Sequence, residues 1–96
     1  MASKKIGETR KALLKKGFSL KQTDHEIYVL LVDGQQTQIW TKLSRQKTGD
    51  DLQRNVIKGM IKQMHLHSET QLFEFISCSL SEDQYLDILR EQHLVL

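Results

Sequence analysis

A histidine and a nearby lysine have the right chemistry for acting on a phosphodiester. His25 opens a strongly apolar stretch directly after a tight turn, and Lys21 lies on the predicted strand before it. Imidazole accepts or donates a proton near neutral pH, and RNA cleavage by its own 2′-hydroxyl needs only proton transfer and positive charge near the phosphate. Carboxylates at Asp24 and Glu26 flank the histidine and would favour its protonated form. A lone histidine at a strand end is also commonly an ordinary surface residue.

Other chemistries have weaker support. His65 and His67 are two residues apart, so they do not share a helical face, and no cysteine pair stands near them. Cys78 follows an apolar helical pattern and is expected in the core. We find no glycine-rich phosphate loop and no hydrolase triad, so we expect neither a metal nor a cofactor.

Length and cysteine content limit the class of protein. The chain has 96 residues, which predicts a single domain spanning 1–96. Its one cysteine excludes an internal disulfide and favours a reducing compartment, so we expect a cytoplasmic location. No apolar run approaches the roughly 20 residues of a membrane span.

The charges are unevenly distributed along the chain. Residues 1–23 carry seven basic side chains and one acidic side chain, whereas residues 69–96 carry one basic and six acidic side chains. A basic N-terminal part suits a phosphate backbone, although a solvated lysine-rich helix face explains the same pattern.

Hydrophobic periodicity predicts an α+β fold. Gly17 should end the first helix, and Asp33-Gly34 is a strong signal for a hairpin between two strands. The pattern predicts a helix, a three-stranded antiparallel meander, a second helix and two shorter acidic helices. Their expected ranges are 3–16, 18–23, 25–32, 36–43, 51–65, 69–77 and 82–92.

The central strand is apolar on both faces, so both faces of the sheet should be covered. We expect the two C-terminal helices to cover the second face. Phe18, Tyr28 and Trp40 could stack on bases if they are exposed, but their alternating positions are more typical of packing residues.

Several local features predict helix ends. Capping boxes at 68–71 and 81–84 should start the two C-terminal helices, and Thr48 or Asp50 should cap the helix before them. Gly59 lies within that helix, where it costs roughly 1 kcal/mol relative to alanine, so we expect close packing there.

Four features occur in an order that is characteristic of one family. Leu-Leu-Lys-Lys-Gly-Phe at 13–18 ends a helix, a histidine precedes an aromatic strand at 25–28, and Asp-Gly forms a hairpin at 33–34. A basic loop then leads into a second helix. Over roughly residues 6–66 the chain resembles the HicA toxins, the mRNA-cleaving half of bacterial and archaeal toxin–antitoxin pairs.

The resemblance implies a double-stranded-RNA-binding-like α-β-β-β-α core at about 3–66. The helical extension predicted at about 68–96 lies outside the compact fold of that family. The resemblance also implies a metal-independent endoribonuclease that cleaves mRNA and is blocked by a HicB-like antitoxin. His25 matches the catalytic histidine of the family. The surrounding turn differs, because this chain has Thr23-Asp24-His25-Glu26 where the family has Gly-Ser-His-His or a similar sequence. The side chains expected to hold the RNA backbone are Lys15, Lys16, Lys21, Lys42 and Arg45.

Two alternatives remain open from the sequence. The same fold could serve as a non-catalytic RNA-binding module, or as a protein-interaction module that works through its C-terminal helices. A homodimer could form through the apolar sheet face if the C-terminal part does not cover it.

Overall fold

The computed structural model describes residues 4–22, 26–43, 49–77 and 79–95. These residues form one antiparallel sheet in the order β1-β2-β3 and four helices, which confirms the predicted α+β class and the meander. The elements are α1 (Ile6–Lys15), β1 (Phe18–Gln22), β2 (Glu26–Val32), β3 (Gln35–Leu43), α2 (Arg54–Met64), α3 (Glu69–Ile76) and α4 (Glu82–Glu91).

Alternation along the strands gives the sheet an inner face and an outer face. In the antiparallel pairing of β1 with β2, Phe18 lies opposite Leu30 and Leu20 lies opposite Tyr28. The inner face is the buried one, because Phe18, Tyr28 and Leu30 are at most 3% exposed. Residues of the outer face alternate with these. The inner residues of β3 are Ile39, Thr41 and Leu43.

All four helices contribute to the core on the inner face. The Phe18 ring lies 6.2 Å from that of Phe75 on α3, and Phe75 lies 5.1 Å from Tyr85 on α4. The Tyr85 hydroxyl donates to the carbonyl of Met64 at the end of α2, 2.9 Å away. The prediction that the C-terminal helices cover the second sheet face is therefore wrong. Their apolar side chains instead join those of α1, α2 and the inner face of the sheet in one buried cluster.

Glycine ends α1 as predicted. Gly17 has a φ of +99°, and a Cβ there would lie 2.8 Å from Oε2 of Glu82. Both the left-handed backbone and the close approach of α4 therefore favour glycine. Asp33 and Gly34 also have positive φ values, of 53° and 77°, as expected for the tight hairpin between β2 and β3.

The predicted capping box is complete at α4 and only half formed at α3. Ser81 and Gln84 form a complete capping box at α4. Ser68 accepts from the backbone N–H of Gln71 at α3, while the Gln71 side chain accepts from His67 one residue further out.

The start of α2 differs from the prediction. Its N-cap is Gln53 and makes no side-chain hydrogen bond, so Asp50 does not cap it, and Thr48 lies outside the described residues. The neighbouring Asp51 instead pairs with Lys5 at 2.6 Å and fixes this segment to the start of α1. Gly59 has no close neighbour, since a Cβ there would meet only a side-chain nitrogen at 3.9 Å. The expected close packing at Gly59 is therefore wrong.

None of the helices within the described ranges has the length and apolar content needed to cross a bilayer.

Candidate nucleic-acid interface

Two lysines flank the start of β2. Lys42 on β3 is paired with Ile27, the second residue of β2. On the other side the register of β1 shifts between Leu20 and Gln22, so Lys21 is the extra residue of a bulge, and Gln22 pairs with Ile27. Both lysines are exposed. Strand pairing thus brings two solvated cations to one end of the sheet.

Two of the predicted site residues fall outside the described parts of the chain. His25 directly precedes Glu26 in the sequence, and Arg45 follows Leu43 by two residues. Glu26 and Leu43 are themselves cross-strand partners. The strand ends next to both predicted residues therefore lie at the Lys21 and Lys42 end of the sheet.

The carboxylate of Glu26 belongs to the inner face. It accepts from Nε of Arg10 at 2.8 Å and from Nη2 of Arg10 at 2.5 Å. The Tyr28 hydroxyl donates to Oε1 of Glu26 at 2.8 Å. Because Glu26 is only 9% exposed and paired with a guanidinium, its negative charge is compensated beneath the sheet.

The ionisation behaviour of this cluster follows from its contacts. The hydrogen bond to Glu26 raises the pKa of Arg10 above its ordinary value. Burial, and then the hydrogen bond to Glu26, raise the pKa of Tyr28 to about 12. At neutral pH the cluster therefore consists of a neutral phenol and a paired Arg–Glu couple. It anchors the first strand residue after His25 to α1.

Lys16 has a structural position. Its side chain is only 4% exposed, and its ammonium donates to the carbonyls of Phe75, at the end of α3, and of Leu80, the latter at 2.7 Å. The same ammonium lies 4.6 Å from the centre of the Phe75 ring. A cation suits the C-terminal end of a helix, where carbonyls carry partial negative charge. This corrects the expectation that Lys16 holds RNA, because a buried ammonium cannot reach a phosphate at the surface.

Lys15 is exposed but lies apart from the other lysines. It ends α1, three residues before β1 begins at Phe18, whereas Lys21 lies near the far end of β1. With about 3.3 Å per strand residue, Phe18 and Lys21 are separated by roughly 10 Å. The structure therefore brings Lys21 and Lys42 together but not Lys15.

Two acidic residues of α4 lie near the opposite end of the sheet. An open cleft is lined by the β2–β3 hairpin on one side and by α4 on the other, and Glu82 and Asp83 are among its lining residues. The hairpin is the end of the sheet remote from Lys42. The described sheet therefore has exposed lysines at one end and the carboxylates of Glu82 and Asp83 near the other.

Trp40 is more exposed than its sequence pattern predicts. The pattern favoured a packed side chain, but Trp40 is 43% exposed. It pairs with Val29 on the outer face of the sheet. One feature of the sequence indicated the exposure of Trp40. Lys42 follows Trp40 by two residues, so both side chains lie on the same face of β3, and a lysine is unusual on the face of a buried aromatic residue.

The remaining candidates of the sequence do not assemble into a site. His65 has a φ of 60° at the C-cap of α2, and His67 is exposed after it. Among residues 4–22, 26–43, 49–77 and 79–95, no three potential ligands form a metal-binding group. Cys78 lies outside these ranges.

Comparisons with known protein families, with curated proteins and with solved structures give no match to this chain.

Proposed function

We propose that the chain is a HicA-like RNA-binding protein that acts as a metal-independent mRNA endoribonuclease, the toxin of a toxin–antitoxin pair. One observation gives the strongest support: Lys21 and Lys42 flank the start of β2, directly after His25 in the chain. In this proposal the elements α1-β1-β2-β3-α2 form a double-stranded-RNA-binding-like core. The helices α3 and α4 complete its hydrophobic interior.

In the proposed reaction, His25 moves a proton at the scissile phosphate. The 2′-oxygen of a ribose attacks the adjacent phosphorus, and the bond to the 5′-oxygen of the next nucleotide breaks. His25 either takes the proton of the 2′-hydroxyl or gives one to the departing 5′-oxygen, which leaves a 2′,3′-cyclic phosphate. Lys21, Lys42 and Arg45 supply the positive charge that stabilises the pentavalent phosphate.

The inward position of Glu26 supports this reaction. A carboxylate next to His25 at the surface would repel the RNA phosphate. The Glu26 carboxylate instead bonds to Arg10 and Tyr28 beneath the sheet, so it leaves the lysines as the dominant charges described at this end.

The proposal includes a partner and a location. A HicB-like antitoxin would bind the Lys21 and Lys42 end of the sheet and exclude RNA from it, in the cytoplasm. The acidic end of the molecule, around Glu82 and Asp83, would then stay free of the contact.

Cleavage of a labelled mRNA fragment tests the proposal. The wild-type protein should produce fragments ending in a 2′,3′-cyclic phosphate in the presence of a metal chelator, and the His25→Ala variant should produce none. His67→Ala is the control, because His67 is an exposed histidine to which the proposal assigns no role, and its loss should leave cleavage unchanged. Circular dichroism checks that each variant is folded.

The possible outcomes separate the alternatives. Equal cleavage by wild type and His25→Ala overturns the catalytic role of His25. RNA binding without cleavage by the wild type supports the non-catalytic RNA-binding module instead. An absence of RNA binding overturns the proposal as a whole.

A further inference from the structure

The outer face of the sheet is an apolar surface that the described helices leave open. Ile27, Val29 and Leu31 of β2 are half-buried on this face, in contrast to the buried residues that alternate with them. Trp40 lies across from Val29 and is 43% exposed. Because α3 and α4 pack on the inner face, they leave the indole of Trp40 exposed on the edge strand β3.

The charges around the indole are positive. Lys42 follows Trp40 by two strand residues, which places the two Cα atoms roughly 7 Å apart on one face. Lys21 lies at the β1 bulge on the other side of Ile27. The outward residues of the described strands include no carboxylate. The one acid within these strands, Glu26, lies on the inner face, and Asp33 lies in the hairpin at the remote end.

This combination fits single-stranded RNA. Aromatic side chains on an open sheet stack on unpaired bases, and every base offers a π face for this contact. Lysines beside the aromatic ring hold the backbone that connects the bases. A duplex keeps its bases stacked on one another, so it cannot use the indole in this way.

We propose that the outer face of the sheet is a binding platform for single-stranded RNA, on which Trp40 stacks a base while Lys42 contacts the adjoining phosphate. The proposal rests on the proposed function and specifies its substrate as an unpaired strand. It places the bound strand across β3 and β2 next to the Lys21 and Lys42 end of the sheet.

Intrinsic fluorescence tests this directly, because Trp40 is the single tryptophan of the sequence. The His25→Ala protein, which should not cleave, is titrated with an eight-nucleotide oligoadenylate and with an RNA duplex of equal length. We expect saturable quenching of Trp40 by the single strand and less quenching by the duplex. By fluorescence polarisation of labelled RNA, Trp40→Ala should weaken single-strand binding about tenfold, and Trp40→Phe should weaken it less.

Leu14→Ala is the matched control, because Leu14 is also an exposed apolar side chain, 54% accessible, but lies on α1. It should leave RNA affinity unchanged. If Trp40→Ala does not fold, the titration of the intact tryptophan still decides the question.

The results that would overturn the platform are distinct from those that would overturn the proposed function. RNA binding with unchanged Trp40 fluorescence and unchanged affinity in Trp40→Ala rejects the platform and leaves the proposed function standing. The absence of any RNA binding rejects both. A third result would be self-association that increases with protein concentration, buries Trp40 and is not reversed by RNA. In that case the outer face of the sheet binds a second copy of the chain, and the platform is also rejected.

Discussion

Arg10 and Glu26 form a two-point ion pair that ties α1 to the first residue of β2. Nε and Nη2 of Arg10 lie 2.8 and 2.5 Å from the two carboxylate oxygens of Glu26. The side chains are 24% and 12% exposed. The pair is thus largely shielded from water, and its geometry determines where the chain leaves β2 towards His25.

Removal of one partner of this pair should destabilise the fold. Arg10→Ala removes the guanidinium from the Glu26 carboxylate, and loss of one partner of a largely buried ion pair costs roughly 3 kcal/mol. Urea denaturation should show this loss in the free energy of unfolding. The control is Lys5→Ala, which breaks an ion pair to Asp51 whose side chains are half exposed, 51% and 52%, and which should change stability little. Equal effects of the two variants would contradict the account.

The two tyrosines should resist ionisation as long as the protein is folded. Burial raises the pKa of Tyr85, and burial together with the Glu26 hydrogen bond raises that of Tyr28 to about 12. Because these folded-state pKa values exceed the unfolded value near 10, the associated stability is complete below about pH 10 and is lost progressively as pH rises above it. Ultraviolet absorbance at alkaline pH should show both phenols ionising together with unfolding. A phenol that titrates near pH 10 in folded protein would contradict this.

Glycine-to-alanine substitutions should have opposite effects at two positions. Gly59 lies in a helix with open space around it, so Gly59→Ala should stabilise the protein by roughly 0.5–1 kcal/mol. Gly17→Ala should destabilise it, because Gly17 has a positive φ and the new Cβ would approach Glu82. Thermal unfolding of both variants measures the difference. A loss of stability in Gly59→Ala would show that the helix is packed more tightly there than described.

The adjacent lysines at the end of α1 should behave differently. Lys16→Met keeps an apolar stem but removes the donor for the carbonyls of Phe75 and Leu80, which should cost roughly 1–3 kcal/mol of stability. Lys15→Met changes an exposed side chain and should be close to neutral. Chemical denaturation of the two variants compares them under identical conditions. Similar stabilities would mean that the Lys16 contacts contribute little to the fold.

The sequence predicted the helices and strands well because each has a strong local signal. Gly17, the Asp33-Gly34 hairpin and the Ser81 capping box all act through neighbouring residues, and the structure confirms them. The predicted element ends agree with the observed ones within three residues.

The errors concern contacts between residues that are distant in sequence. Which sheet face α3 and α4 cover depends on where Phe75 and Tyr85 meet Phe18, and periodicity carries no information on that choice. The burial of Lys16 depends on the same packing, because its acceptors are 59 and 64 residues away. The ion pair between Glu26 and Arg10 on the inner face likewise joins residues that are distant in sequence, so the charges of neighbouring residues could not predict it.

The candidate site was predictable only in part. Lys21 and Lys42 were both named from the sequence as RNA-binding candidates. Their common position at one end of the sheet follows only from the register of β1 and β3 on β2. Trp40 was correctly placed on a strand, yet its exposure depends on the outer face being open, which no local pattern specifies.

The most direct measurement is the affinity for single-stranded RNA and its dependence on salt concentration. It compares two double variants, each of which loses two positive charges and also carries His25→Ala. Lys21→Gln with Lys42→Gln removes the cations at the end of the sheet, and Lys58→Gln with Lys62→Gln removes two exposed lysines from α2. The account predicts that the first variant binds single-stranded RNA about tenfold more weakly and that its log–log salt slope falls by about 1.4, while the second stays near the parent. Equal weakening in both variants, or none in the first, would contradict an RNA site at the Lys21 and Lys42 end of the sheet.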